Sequence, residues 1–273
     1  MKITSVNQNW KFYNDMRGTD EQMVNLPHDA MLTEKRLANG KTGAAGGFFP
    51  GGRYIYRKNL FGAEEYRDKS IYLEFEGIYM KSTVYLNEEK VGGWIYGYTG
   101  FYVDLTDKLR IGEDNEIKVV ADNTQTPNSR WYSGSGIYRN VNLLVGDKRH
   151  VKLDGVRVVT ERIHPAVISV HTEVDGAHVD GFHGDGSHDD GSNQKKEFPV
   201  DLDVKVEVYE YHKGFDTTGK IKGLEDGDVP VATGSGTDCR IEMGDAALWD
   251  EESPNLYQVR VILMEGEKLV DEQ

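Results

Sequence analysis

Apolar and polar residues alternate with a period of two in run after run of this chain. Val200, Leu202, Val204, Val206 and Val208 alternate with Asp201, Asp203, Lys205, Glu207 and Tyr209. Ile71, Leu73 and Phe75 alternate with Tyr72, Glu74 and Glu76. The pattern returns at Ile117, Val119 and Ala121, at Val141, Leu143 and Val145, and at Ile168, Val170 and Val174. It returns once more at Tyr257, Val259, Val261 and Leu263. Successive side chains of a strand point to opposite faces, so each run predicts a strand with one dry and one wet side. Asn87-Glu88-Glu89-Lys90 reads as a hairpin, and residues 112–115 as a turn before the next strand. No segment sustains a helical repeat; one short candidate covers residues 30–37, with Asp29 as N-cap. Many short strands without a strand–helix–strand rhythm predict an all-β sandwich or barrel.

The chain has 273 residues, which at ~150 per domain suggests roughly two domains. The boundary is expected at Gly146-Asp147-Lys148. Residues 1–147 suffice for a jelly-roll-like double sheet. Residues 148–273 carry fewer strands and suit an immunoglobulin-like sandwich. The 15 Tyr fit half-buried pleated surfaces, and the 31 Gly supply turns.

A net charge of −14 disfavours phosphate backbones and anionic bilayers, so neither nucleic acid nor membrane is an expected partner. Cys239 is the only cysteine, which excludes an internal disulfide, and it has no motif around it. A buried or idle thiol is the expectation there. The first twelve residues contain no apolar core of a secretory leader, and no stretch approaches ~18 apolar residues. A cytoplasmic location is expected.

Residues 175–193 repeat Asp-Gly at 175, 180, 185 and 190, and His at 178, 183 and 188. Metal capture by these side chains is one reading. A low-complexity insertion between strands is the preferred one, because His-x4-His matches no common structural zinc spacing. No metal and no cofactor are expected. The chain has no G-x-S-x-G elbow, no phosphate-binding glycine loop and no HExxH, and Glu74 and Glu76 on one strand face read as solvated. The informative stretch is RWYSGSGIYR at 130–139, following DNTQTPNS at 122–129. Arg130, Trp131 and Tyr132 offer a fork of donors and two aromatic faces, the means by which sugars are bound. Trp131, Ile137 and Tyr138 as ordinary core residues is the equal alternative.

Several segments, taken in order, resemble the N-terminal part of the family 2 glycoside hydrolases, the β-galactosidase, β-glucuronidase and β-mannosidase group. They are LPHDA at 26–30, PGGRYIYRK at 50–58, LEFEGIYMKSTVYLN at 73–87, GYTGFYVDLTDKL at 97–109, RWYSGSGIYR, and LWDEESPNLYQVRV at 248–261. The resemblance covers nearly the whole chain apart from the Asp-Gly-His repeat. It implies a jelly-roll sugar-binding domain, then an immunoglobulin-like domain, then a (β/α)8 barrel carrying both catalytic carboxylates. Such a barrel takes ~250 residues, for which 273 leave no room. The family reaction retains configuration, with two carboxyl groups ~5–5.5 Å apart.

The resemblance therefore implies a non-catalytic front end, inactive alone, that shapes the sugar pocket of a β-galactosidase-like enzyme. It places Asp29, Asn128, Arg130, Trp131 and Tyr132 on the substrate side. The expected partners are a carbohydrate and the chain's own catalytic barrel, with self-association through surface the barrel would cover. A free-standing carbohydrate-binding module is the alternative reading, and a structural sandwich array a third.

Overall fold

The structure is a computed structural model that describes residues 1–40, 42–125, 133–176, 202–211, 214, 223–225 and 227–273. The chain divides into two compact units: Lys2–Gly146, and Asp147–Gln273 with Met1.

The first unit is a double sheet. Its strands are β1 (Lys2–Ser5), β2 (Trp10–Asn14), β3 (Gln22–Val24), β4 (Arg53–Phe61) and β5 (Lys69–Phe75). They continue as β6 (Thr83–Leu86), β7 (Glu89–Gly92), β8 (Phe101–Asp104), β9 (Asp114–Asp122) and β10 (Val141–Asp147). One sheet runs β1-β10-β5-β8 and the other β3-β2-β4-β9-β6-β7. Alternation explains the layering. Ile71, Leu73 and Phe75 of β5 and Val141 and Leu143 of β10 face Trp10 and Phe12 of β2, Tyr54 and Tyr56 of β4, and Ile117 and Val119 of β9 in one core. Two sheets that share a core in this way form the jelly-roll-like sandwich.

The β6–β7 hairpin is tighter than the four-residue turn read from the sequence. Leu86 pairs with Glu89, leaving only Asn87 and Glu88, at φ 49° and 67°. Both are left-handed, as a two-residue turn between twisted strands requires. Asn87 tolerates this because its side chain accepts from the Glu116 amide at 3.0 Å and donates to Asn115 Oδ1 at 2.8 Å.

The helix expected at 30–37 is a single 3-10 turn, Ala30–Thr33. Asp29 does cap it, accepting from the Met31 amide at 2.9 Å. Glu34 ends it in an extended conformation. Its carboxylate is drawn away to Asn14 Nδ2, at 2.6 Å, and to the Arg17 guanidinium, where it is almost fully buried. A long-range charged contact thus overrides a weak local propensity. Glu74 and Glu76 are not simply solvated either. Asn142 Nδ2 donates to Glu74 at 2.8 Å, and Asn140 Nδ2 donates to Glu76 at 2.9 Å.

The second unit contains β11 (His150–Ile163), β12 (Ala166–Asp175), β13 (Leu202–Tyr211), β14 (Ala232–Ser235), β15 (Asp238–Gly244), β16 (Leu256–Glu265) and β17 (Lys268–Glu272). A sheet β11-β12-β15 faces a sheet β14-β13-β16-β17. The core between them is aliphatic: Val151, Ile168, Val170 and Ile241 against Val204, Val206, Val208, Val261 and Leu263. Three strands over four around a valine-rich core is the immunoglobulin-like arrangement. Cys239 packs at the margin of this core, and burial pushes its thiol pKa up, away from the reactive thiolate. The Asp-Gly-His repeat lies almost wholly outside the described residues, which stop at Gly176 and resume at Leu202. No helix among the described residues is long and apolar enough to cross a membrane.

Candidate functional site

Two loops of the first sandwich, more than a hundred residues apart in sequence, are laced together. The His28 amide donates to the Ile137 carbonyl, and the Ala30 amide to the Ser135 carbonyl, each at 2.8 Å. The Ser135 amide returns to Asp29 Oδ1 at 2.9 Å. Asp29 Oδ1 thus accepts two amides, from its own turn and from residues 133–138. Gly134 sits hard against this carboxylate: a Cβ there would lie 2.7 Å from Asp29 Oδ2. The Gly-Ser-Gly of this stretch lets backbone approach a charged side chain and also lets Gly136 take φ 92°.

Below the lacing sits a ring cluster that sets its height. Tyr56 is fully buried, and its hydroxyl shares a hydrogen bond of 2.8 Å with His28 Nδ1. Phe12 meets the His28 ring edge-on at 4.6 Å. A Cβ on Gly136 would stand 2.1 Å from the Tyr56 hydroxyl, so only glycine fits over it. Burial pushes the Tyr56 phenol well above its ordinary value, so it stays a neutral hydrogen-bonding group. Burial also lowers the His28 imidazole, partly offset by the Asp29 charge. A neutral His28 suits this apolar floor.

The residues on either side of segment 126–132 are tied to each other and to this floor. Asn123 Nδ2 donates to Ser135 Oγ at 2.7 Å, and both residues are buried. Asn123 and Gly52 exchange backbone hydrogen bonds of 2.8 and 3.2 Å. Thr124 bonds to Asp122 Oδ1 through its amide and its hydroxyl, and Lys81 Nζ donates to Gln125. Of the five residues read from the sequence, Asp29 lies at this junction, engaged with backbone. Asn128, Arg130, Trp131 and Tyr132 lie outside the described residues.

One element at the junction escaped the sequence reading. The loop from Gly93 to Gly100 carries Trp94, Tyr96 and Tyr98, all exposed. The Tyr98 hydroxyl and Ser133 Oγ share a hydrogen bond of 3.2 Å, and Tyr138 donates to the Gly97 carbonyl at 2.7 Å. The signal was there as three aromatics in five residues, but a loop gives no periodicity by which to separate exposed rings from buried ones. Among the described residues, no group of three or more His, Cys, Asp or Glu side chains is placed to hold a metal ion.

Comparison with known proteins identifies both units. The family model described as glycosyl hydrolase 2 galactose-binding domain-like matches residues 48–151, and that of glycosyl hydrolases family 2 matches residues 166–273. The chain is 40% identical over 144 residues to a β-galactosidase of Bacteroides ovatus, covering 53% of this chain and 17% of that protein. It is 30% identical over 183 residues to a β-glucuronidase of Bacteroides fragilis, covering 62% of this chain and 25% of that protein. A solved family 2 glycosyl hydrolase from Bacteroides cellulosilyticus superposes with a TM-score of 0.76 at 27% identity, over all of this chain and 34% of that one. The chain therefore spans between 17 and 34% of the length of these relatives. Two matched domain types in the family's order, over two sandwiches of the corresponding kinds, place this chain in glycoside hydrolase family 2, as its paired N-terminal β-domains.

Proposed function

We propose that this chain forms the front of a retaining β-glycosidase that cleaves terminal β-glycosidic bonds, with a β-galactoside as first-choice substrate. A (β/α)8 barrel supplies the acid and the nucleophile, and the first sandwich borders the sugar pocket through segment 126–132. The observation that carries this reading is the ordered match of both family models, supported by relatives named as β-galactosidase and β-glucuronidase. The cross-linked stems support the second half of it, since a loop that orients a substrate must leave a rigid base.

The residues divide by role. Asn128, Arg130, Trp131 and Tyr132 meet the sugar, the aromatic rings by packing on C–H faces and the others by hydrogen bonds to hydroxyls. Asp29 is a positioning residue: it fixes Ser135, and through it the base of the loop.

The test has two arms. Purified 1–273 is expected to turn over neither a chromogenic β-galactoside nor a β-glucuronide; turnover by this chain alone overturns the reading. In a protein that carries this chain together with a barrel, Arg130→Ala and Trp131→Ala are each expected to lower kcat/KM by about tenfold. Unchanged kinetics in both variants remove these residues from the pocket.

A further inference from the structure

We propose that the loop between β7 and β8 is a carbohydrate-stacking platform, on which Trp94, Tyr96 and Tyr98 receive the inner sugars of an oligosaccharide whose terminal sugar is the one cleaved. The proposal rests on the pocket reading above and gives it a substrate class: a chain of sugars rather than a glycoside of a small alcohol.

The loop is built to hold rings still. The Trp94 amide is bonded to the Ser82 hydroxyl at 3.0 Å and to the Ser82 carbonyl at 3.1 Å. The Ser82 amide returns to the Trp94 carbonyl at 2.7 Å, and the Lys81 amide to the Ile95 carbonyl at 3.2 Å. A Cβ on Gly97 would come within 2.3 Å of the Tyr79 ring, so the backbone lies directly on that ring. Loop side chains ordered in this way lose little freedom when a ligand arrives.

Each ring presents a face. Phe75, Phe101 and Trp94 form a stack from core to surface, with centroids 5.1 and 6.4 Å apart and both angles 17°. Trp94 is its outermost plate, 47% exposed, and its indole N–H is held by Thr99 Oγ1 at 2.9 Å. The indole is thereby fixed in rotation as well as in tilt. Tyr98 packs edge-on against buried Tyr79 at 5.3 Å and against Tyr96 at 5.6 Å. Tyr96 is 57% exposed and Tyr98 51%. Rigid rings with polar rims match the alternation of C–H faces and hydroxyls on a pyranose. The Tyr98–Ser133 hydrogen bond ties the platform to the residue that follows segment 126–132.

A neutral ligand is the occupant this surface fits. The exposed rings bear no charge, and within the loop 93–100 there is no acidic or basic side chain. A protein partner would instead bury the rings in a closed apolar contact, which is an outcome the test separates.

The probes are β-1,4-galactotetraose and cellotetraose, titrated into the 273-residue chain by calorimetry and followed by tryptophan fluorescence. Saturable binding of either tetraose is expected, weakened about two- to tenfold in Trp94→Ala and in Tyr98→Ala. Trp94→Phe, which keeps a ring on the Phe101 stack, is expected to recover most of the affinity and controls for folding. Absence of binding at millimolar tetraose overturns the platform. So does equal affinity in wild type and Trp94→Ala, and so does concentration-dependent self-association abolished by Trp94→Ala without sugar binding. Failure of the pocket reading looks different: Arg130→Ala leaves hydrolysis by a barrel-containing protein unchanged while tetraose binding still follows Trp94.

Discussion

The two sandwiches solve the same packing problem with different materials. The first fills its core with large rings, Trp10, Phe12, Tyr54, Tyr56 and Phe75 among them, and adds buried polar side chains such as Asn115, Asn123 and Ser135. The second fills its core with Val, Ile and Leu. Rings carry more apolar surface per residue and bring hydroxyls and N–H groups with them. Those polar atoms are then available to fasten loops, as Tyr56 does beneath His28 and Gly136. A core of Val, Ile and Leu brings no such atoms of its own; in the second unit the polar tie comes from buried Asp271 at its margin, which accepts from the Val151 amide at 2.9 Å. The first unit can therefore organise irregular backbone at one end, and the second is suited to stiffness.

That contrast can be broken experimentally. Phe75→Ala removes a fully buried ring stacked on Phe101, and is expected to destabilise the first unit by about 4 kcal/mol. Val206→Ala, equally buried in the second core, is expected to cost about 2 kcal/mol. Peptide-resolved hydrogen exchange assigns each loss to its unit; equal losses would show that ring size does not distinguish the two cores.

A second pair sharpens the claim about loops. Gly136→Ala forces a Cβ onto the Tyr56 hydroxyl at a left-handed position, and about 3 kcal/mol is expected from strain and overpacking together. Gly266→Ala, at φ 59° in the β16–β17 turn with nothing within 4 Å, carries only the backbone penalty of about 1 kcal/mol. Urea midpoints read the difference. Similar values for both would mean that Gly136 is not pressed against the floor.

The smallest effect is a pH dependence confined to the first unit. The fold holds His28 below its ordinary value near 6.5, so the unfolded chain binds the proton more readily. The stabilisation from a neutral His28 is complete above that ordinary value. It declines as pH falls from there toward the lowered folded-state value. His28→Gln is expected to flatten the urea-midpoint profile between about pH 7.5 and about pH 5.5 relative to wild type. Parallel profiles would place the proton uptake on another group.

What could be read from sequence follows from the range of the interactions. Strands β5, β9, β13 and β16 were legible because their inward residues repeat at every second position and neighbouring strands supply the rest. The burial of Tyr54 and Tyr56 was not, since a hydroxyl signals surface unless its partner is known. The turn after Asp29 was read as longer than it is, because the pull of Arg17 and Asn14 on Glu34 is invisible to local pattern. For the candidate site, residues 133–138 of the motif at 130–139 are laced to the turn at Asp29, while Asn128, Arg130, Trp131 and Tyr132 lie outside the described residues. The acceptor role of Asp29 toward Ser135 spans 106 positions, and no spacing rule reaches that far. The rings at 94–98 stood inside GYTGFYVDLT and its flank, but only their place in space separates them from core.

The Asn123–Ser135 clasp has a consequence for how such a domain can diversify. It closes the chain on the two sides of segment 126–132 at one point of the sandwich. Doubling the length of that segment would cost only about 0.6 kcal/mol in closure entropy, provided the clasp stays shut. Insertions and deletions there become nearly neutral for folding, while a single substitution at the clasp would not be. Lineages can therefore rewrite that stretch by changes in length as well as in identity, and keep the scaffold untouched.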